Sequence, residues 1–296
     1  MKWLGLFISI CFFIFACVSE YEPSSIEIRL SRSVKILDDF GEEESITDAN
    51  VFIECDQGFT FEPVSVSEEG VYILKVDKLE PAYKYRLSIN WNDKEYKSEY
   101  LSPLDTPAID SISVESPASE KPVYICVTTH DNELEPTYYK WSYREIWEFN
   151  ADLFANAGYL NDKFYMFERH TSQNTYYCWG RDSSKVMLLA TTDKLTENLI
   201  YEKELIEIPR DHDKLKILYY IEVQQNRIRK EAYEYFKNIQ RNIEQTGSIF
   251  SPIPTEVRGN IVCVSDPKEW VLGYVDVTST TIMKRFMPEL RDFYET

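Results

Sequence analysis

The sequence predicts a mostly β protein with two successive β-rich regions and one long amphipathic helix. Aromatic residues make up 15% of the chain, led by 21 tyrosines, whereas only nine glycines are present. Apolar and polar residues alternate along many short segments, which is the period-two pattern of half-buried strands. Only one segment shows a convincing helical period. We therefore expect β-sandwich packing rather than a disordered or fibrous chain.

The first folded region is predicted to be a β-sandwich over residues 26–102, of the immunoglobulin or transthyretin type. Its strands are spaced roughly ten residues apart, as in such sandwiches. The strands are predicted at Ile26 to Leu30, Val51 to Glu54, Val71 to Val76, Tyr83 to Ile89 and Glu95 to Leu101. Pro103 and Pro107 bracket a short linker.

The second region, residues 108–296, is predicted to be a larger β-rich domain that carries the helix. Strands are predicted at 109–114, 123–129, 138–149, 176–180, 185–191, 199–208, 215–223, 260–264, 271–278 and 280–287. The helix is predicted over about residues 226–246, because apolar side chains recur there at steps of three and four. The stretch from Asn150 to Tyr176 is longer and less regular. It is therefore a candidate functional insertion or lid.

The first 16 residues predict a secretory signal peptide. A lysine is followed by an apolar run of about 14 residues, shorter than the roughly 20 that a spanning helix needs. The residues Ile14-Phe15-Ala16-Cys17 resemble a bacterial lipobox, which implies cleavage before Cys17, lipidation of that cysteine and a tether over 17–25. The alternative is an ordinary signal peptide that is cut elsewhere.

Charge and motifs exclude several classes of function. The formal net charge of −18 argues against a nucleic-acid partner, which requires a basic surface. The three histidines, His130, His170 and His212, are far apart and are interpreted as surface residues. No spacing typical of a metal or cofactor site occurs, so neither is expected. Cys55 and Cys126 are interpreted as small buried strand residues.

Two weak candidate sites remain. Trp141, Tyr143 and Trp147 could form a stacking platform for a sugar or an aromatic siderophore, although burial in the core is the favoured interpretation. The tripeptide Asp110-Ser111-Ile112 resembles an acceptor for O-glycans on exported Bacteroidetes proteins, with Ser111 as the modified residue. An ordinary strand start is the alternative.

An ordered series of short motifs resembles the Bacteroidetes lipoprotein family called domain of unknown function 4249. The series is Glu95-Tyr96-Lys97-Ser98, Tyr139-Lys140-Trp141-Ser142-Tyr143, Cys178-Trp179, Glu231-Ala232-Tyr233, Thr246-Gly247-Ser248, Gly259-Asn260-Ile261 and Val271-Leu272-Gly273-Tyr274. The resemblance implies an exported lipoprotein with a small N-terminal β-sandwich and a larger β-rich domain. It also implies a disulfide between Cys178 and Cys263.

The same resemblance implies a role at the outer membrane. Members are often encoded beside TonB-dependent outer-membrane receptors, which suggests a non-enzymatic accessory that binds a ligand or a receptor. Acidic residues soon after Cys17 resemble a surface-export signal and favour the cell surface over the periplasmic face. The alternatives are a surface enzyme acting on glycans or peptides and, more weakly, a structural or adhesive component.

Overall fold

The structure of the protein is a computed structural model. It describes residues 7–10, 15–17, 24–33, 44–76, 79–118, 121–153, 157–166, 176–245 and 257–294. Strands dominate these residues, so the expected mostly β fold class is confirmed. The described part has two β-sandwich cores and a single α-helix.

The described residues from Phe7 to Ser98 contain eleven strands. They are β1 (Phe7–Ile10), β2 (Phe15–Cys17), β3 (Ser24–Arg29), β4 (Ser31–Ser33), β5 (Glu44–Ser45), β6 (Asn50–Cys55), β7 (Thr60–Phe61), β8 (Pro63–Val66), β9 (Val71–Val76), β10 (Tyr85–Trp91) and β11 (Lys94–Ser98). All five strands predicted for this region are present, with small shifts of their ends.

The first core lies between a three-stranded and a five-stranded sheet. Strands β3, β9 and β8 form the three-stranded sheet. The other sheet contains β11, β10, β6 and β7, and its fifth strand comes from near the end of the chain. Alternate residues of β3 and β9, such as Ile28 and Leu74, face those of β10 and β6, such as Leu87 and Ile53, and all four are buried. Period-two alternation in each strand therefore produces one closed apolar layer.

The described residues from Ile109 onward contain twelve more strands and the helix. They are β12 (Ile109–Glu115), β13 (Val123–His130), β14 (Tyr138–Asn150), β15 (Ala157–Leu160), β16 (Lys163–Met166), β17 (Tyr177–Ser183), β18 (Leu188–Thr191), β19 (Leu199–Ile208), β20 (Leu218–Ile228), α1 (Lys230–Gln245), β21 (Ile261–Cys263), β22 (Val271–Gly273) and β23 (Thr278–Phe286). Two 3₁₀ segments, Asp213–Leu215 and Pro288–Phe293, complete the described elements.

The second core lies between the sheet β12-β13-β19 and the larger sheet in which β17, β14, β20 and β23 are neighbours. Ile125 and Val127 of the first sheet face Trp141, Ile221 and Val223 of the second, and all are buried. One face of the larger sheet is thus buried in the second core. Its other face is open to solvent over part of its length and carries the candidate site.

Near its end the chain returns to the first sandwich, so a segment of the predicted region 108–296 packs with residues of the predicted region 26–102. Strand β21 pairs with β11, and Ile261, Val271 and Val275 are buried in the first core. The first sandwich is therefore built from residues 26–102 together with a segment around 261–277. Long-range strand pairing of this kind leaves no local pattern in the sequence.

A buried ion pair joins the two sandwiches. The guanidinium group of Arg229 contacts the carboxylate of Asp276 and donates to the carbonyl oxygen of Ser102, and its backbone N–H donates to Asp276 at 2.9 Å. Thr106 of the linker donates its hydroxyl to the carbonyl oxygen of Ser279 on β23 at 2.6 Å. These contacts fix the linker against the end of β20.

Helix α1 packs on one end of the larger sheet. Its described part begins at Lys230, four residues later than predicted, and its buried residues Ala232 and Tyr235 contact Tyr274 and Ile228. The ammonium group of Lys140 lies 4.5 Å from the centre of the Phe236 ring. Among the residues that the structure describes, no helix is both long and apolar enough to cross a bilayer.

Strands β1 and β2 pair with the C-terminal part of the chain. Strand β1 lies between β22 and β4, and Phe15–Cys17 run parallel to Thr278–Thr280 of β23. Removal of residues 1–16 and acylation of Cys17 stay predictions. Most of the predicted tether lies outside the described residues.

Candidate binding surface

A hairpin with exposed apolar side chains rises from the predicted insertion. Strands β15 and β16 pair with each other in the register Tyr159 to Phe164, across a turn at Asn161 and Asp162. Both turn residues have positive φ angles, 51° and 59°, as a tight type I′ turn requires. Tyr159, Phe164 and Met166 are 70%, 68% and 67% exposed. Exposed apolar clusters of this kind mark interaction sites.

A second apolar feature crosses the solvent-exposed face of the larger sheet. Phe286 of β23 pairs with Tyr220 of β20, which pairs with Ile146 of β14. Trp179 of β17 lies two residue pairs further along, opposite Glu148, on the same face of the sheet. We call Trp179, Ile146, Tyr220 and Phe286 the aromatic stripe. Trp179 and Phe286 are 62% and 63% exposed.

Charged side chains border the aromatic stripe. Arg181 of β17 pairs with Ile146 of β14. The next row of side chains on this face contains Arg144, Glu222 and Lys284. The ammonium group of Lys284 lies 3.4 Å from the carboxylate of Glu222. The following row contains Ser142, Gln224 and Ile282, and Ile282 is 41% exposed. A row of charged side chains therefore separates the stripe from this isoleucine.

The hairpin and the stripe lie at the same end of the second sandwich. The hairpin follows Asn150, the last residue of β14, and precedes Tyr177, the first residue of β17. The junction with the first sandwich lies at the other end of the sheet, beside Ile228. Strand β20 has 11 residues between these ends, which corresponds to about 33 Å at 3.3 Å per residue. We call the hairpin end the distal pole.

The three aromatic residues singled out in the sequence lie on the opposite, inner side of the sheet. Trp141 is 1% exposed and donates its indole N–H to Gln225 at 2.8 Å. Burial raises the pKa of Tyr143 to about 12. The Trp147 ring lies against Gly180, where an added Cβ would be 2.1 Å from the ring. The core interpretation therefore describes Trp141, and other aromatic residues occupy the exposed face of this sheet.

A buried acid–base cluster lies on the inner side, near the 3₁₀ segment. The side chain of Glu145 is fully buried. Its carboxylate accepts a hydrogen bond from the ammonium group of Lys214 at 2.5 Å. It also accepts from the hydroxyl of Tyr219, whose pKa is raised by burial and by that carboxylate. Both carboxylate oxygens are thus satisfied within the protein. The arrangement fits a structural ion pair that holds the 3₁₀ segment on the sheet.

The histidines are not brought together. His130 ends β13 and lies 2.7 Å from the carboxylate of Asp110, whose hydrogen bond raises the histidine's pKa. His212 accepts from the backbone N–H of Lys214 at 3.1 Å. His170 lies outside the described residues. No group of three or more potential ligands converges on a metal position within the described ranges.

The disulfide between Cys178 and Cys263 stays a prediction, and the structure places the two residues in different sandwiches. Cys178 lies on β17 of the second sandwich, whereas Cys263 lies on β21 in the first sandwich. Cys55 and Cys126 are buried strand residues, as their sequence context indicates. Burial raises the pKa of the Cys126 thiol to about 11, which leaves it unreactive at neutral pH.

The possible O-glycan acceptor Ser111 lies on β12 and is exposed. A register shift between Ile109 and Ser111 leaves both Asp110 and Ser111 facing solvent. Its modification stays a prediction.

The comparisons with known proteins support the resemblance seen in the motifs. No curated protein matches the chain. A family model described as a domain of unknown function matches residues 16–283, nearly the whole chain. The chain therefore belongs to the family called Domain of unknown function (DUF4249).

Proposed function

We propose that this chain is an outer-membrane lipoprotein, anchored at Cys17 and displayed at the cell surface, that serves as a binding accessory to a TonB-dependent receptor. The observation that carries the proposal is the exposed hairpin. A two-stranded hairpin is only marginally stable alone in water, yet this one presents Tyr159, Phe164 and Met166 to solvent. Docking on a protein partner would bury them.

The position of the anchor supports a protein partner over the lipid surface. Strand β3 begins at Ser24, seven residues after Cys17, and seven extended residues span at most about 25 Å. In the structure Cys17 pairs with Thr280 of β23, whose partner Asn226 lies near the junction end of the larger sheet. A lipid anchor at Cys17 would therefore place the junction end nearer the membrane than the distal pole. Outer-membrane barrels carry long extracellular loops that could reach this pole.

A surface enzyme acting on glycans or peptides is the second candidate. The observation in its favour is the convergence of Glu145, Lys214 and Tyr219. Catalysis needs such groups within reach of a substrate. The Glu145 side chain is fully buried and Lys214 is 12% exposed, so the binding role is the better supported of the two.

The proposed role of the hairpin in receptor binding is tested by capturing the receptor from native membranes. We expect the triple variant Tyr159→Ser, Phe164→Ser, Met166→Ser to retain at least about tenfold less barrel protein than wild type, since aromatic anchors often each contribute 2 kcal/mol or more to an interface. The measurement is affinity purification in mild detergent, followed by mass spectrometry. The hairpin side chains are exposed, so the fold should persist.

The matched control changes apolar side chains of similar exposure away from the hairpin. Leu134 and Leu195 are 99% and 53% exposed, and Leu134→Ser with Leu195→Ser should leave receptor capture unchanged. Equal capture by wild type and the hairpin variant would contradict the proposal, as would the absence of any barrel protein from the wild-type sample.

A further inference from the structure

The aromatic stripe is a second surface, separate from the hairpin, with its own chemistry. We propose that it is a stacking platform for a neutral carbohydrate chain, whose sugar rings lie flat on Trp179, Tyr220 and Phe286. Tryptophan and phenylalanine side chains more than 60% exposed are uncommon on a sheet surface. Here two of them lie on one face, joined by Ile146 and Tyr220.

The geometry suits an extended ligand. The stripe runs across β17, β14, β20 and β23. Three inter-strand spacings of about 4.8 Å and an offset of two residues along β17 separate its outer members by about 16 Å. The Phe286 and Tyr220 ring centres lie 4.8 Å apart with their planes inclined at 49°, so a sugar chain must bend to follow both rings. Because the stripe lies on an open sheet face rather than in a closed cavity, a chain could continue past either end.

The neighbouring groups match the remaining surface of a sugar. A pyranose ring has an apolar C–H face, which stacks on an aromatic ring, and a rim of hydroxyl groups. Arg181 and Glu148 lie beside Trp179 and Ile146, and Glu222 lies beside Tyr220 in the next row. Guanidinium and carboxylate groups hydrogen-bond hydroxyls strongly, as donors and as acceptors respectively.

Other occupants fit the stripe less well. A polyanion would meet a protein of net charge −18. A stable protein interface buries about 800 Å² on each partner, whereas this apolar band is one side chain wide and is bordered by Arg144, Glu222 and Lys284. The stripe also lies at the distal pole, far from the lipid anchor proposed at Cys17.

Affinity electrophoresis of the purified protein through gels that contain soluble polysaccharides tests this inference. The probes are a neutral glucan, a neutral mannan, a neutral galactan and, as the anionic arm, alginate. We expect at least one neutral polymer to retard the wild-type protein. The double variant Trp179→Ala, Phe286→Ala should bind it at least about tenfold more weakly, since both stacking contacts are lost.

The control removes an exposed aromatic side chain elsewhere. Tyr201 on β19 is 68% exposed, and Tyr201→Ala should migrate like wild type in every gel. Thermal unfolding of all three proteins should agree within a few degrees, because the altered side chains are exposed. Retardation by none of the neutral polymers, preference for alginate, or equal loss in Tyr201→Ala would overturn the inference. Receptor capture through the hairpin is a separate measurement that does not depend on this result.

Discussion

Replacing Lys214 by methionine is expected to lower the free energy of unfolding by about 3–5 kcal/mol, because it leaves the buried carboxylate of Glu145 without its cation. The Glu145 side chain is fully buried, and Lys214 is its ion-pair partner at 2.5 Å. Lys214 also lies 5.0 Å from the centre of the Trp147 ring. The substitution therefore affects both the ion pair and the packing at the distal pole. Denaturant titration of the purified protein measures the loss.

Two further variants identify the cause of that loss. Adding Glu145→Gln to Lys214→Met should recover most of the stability, since the amide can still accept from Tyr219 and carries no charge. Lys284→Met removes an ion pair with Glu222 whose lysine is 62% exposed, and should cost less than about 1 kcal/mol. A Lys214→Met protein as stable as Lys284→Met would show that the buried pair is unimportant for the fold.

Arg229→Met is expected to destabilise the junction of the two sandwiches by a similar amount, about 3–5 kcal/mol at neutral pH. The variant loses the guanidinium contacts with Asp276 and with the carbonyl oxygen of Ser102. The Asp276 side chain is 9% exposed and would remain as a buried charge without a partner. Because the junction joins both cores, the loss should appear in the unfolding of the whole molecule.

The loss of unfolding free energy caused by Arg229→Met should become smaller as the pH falls. Burial already raises the pKa of Asp276, and the Arg229 charge lowers it, so removing Arg229 raises that pKa further. A carboxyl group whose folded pKa lies above its unfolded value destabilises the fold above that pKa and is relieved by protonation below it. Unfolding at neutral and mildly acidic pH measures the change, with Lys185→Met as the exposed control. A deficit that grows on acidification would refute this explanation.

Local patterns predicted most strands because alternation is a property of single segments. The strand Leu199–Ile208 has the predicted ends, and the predicted strand 138–149 corresponds to β14. The sequence does not predict the hairpin β15–β16, which lies in the irregular stretch from Asn150 to Tyr176, although Asn161 and Asp162 are typical residues of a tight hairpin turn. Its short strands carry no clear alternation of apolar and polar residues.

The aromatic stripe could not be predicted from the sequence. Its residues Ile146, Trp179, Tyr220 and Phe286 come from four strands, and only the pairing register brings them together. Within β14, aromatic residues occur at both odd and even positions. Period two alone therefore did not reveal that Trp141 and Trp147 face inward while Ile146 faces solvent. Tertiary packing decides which of the two faces is buried.

Lipid anchoring at Cys17 is the claim on which the proposed location and the orientation of the distal pole depend. Mass spectrometry of the N-terminal peptide, prepared from the protein in native outer membranes, tests it most directly. We predict a peptide that begins at Cys17 and carries the mass of a thioether-linked lipid. A peptide that still contains leader residues, or an unmodified Cys17 on protein recovered in the soluble fraction, would contradict the account.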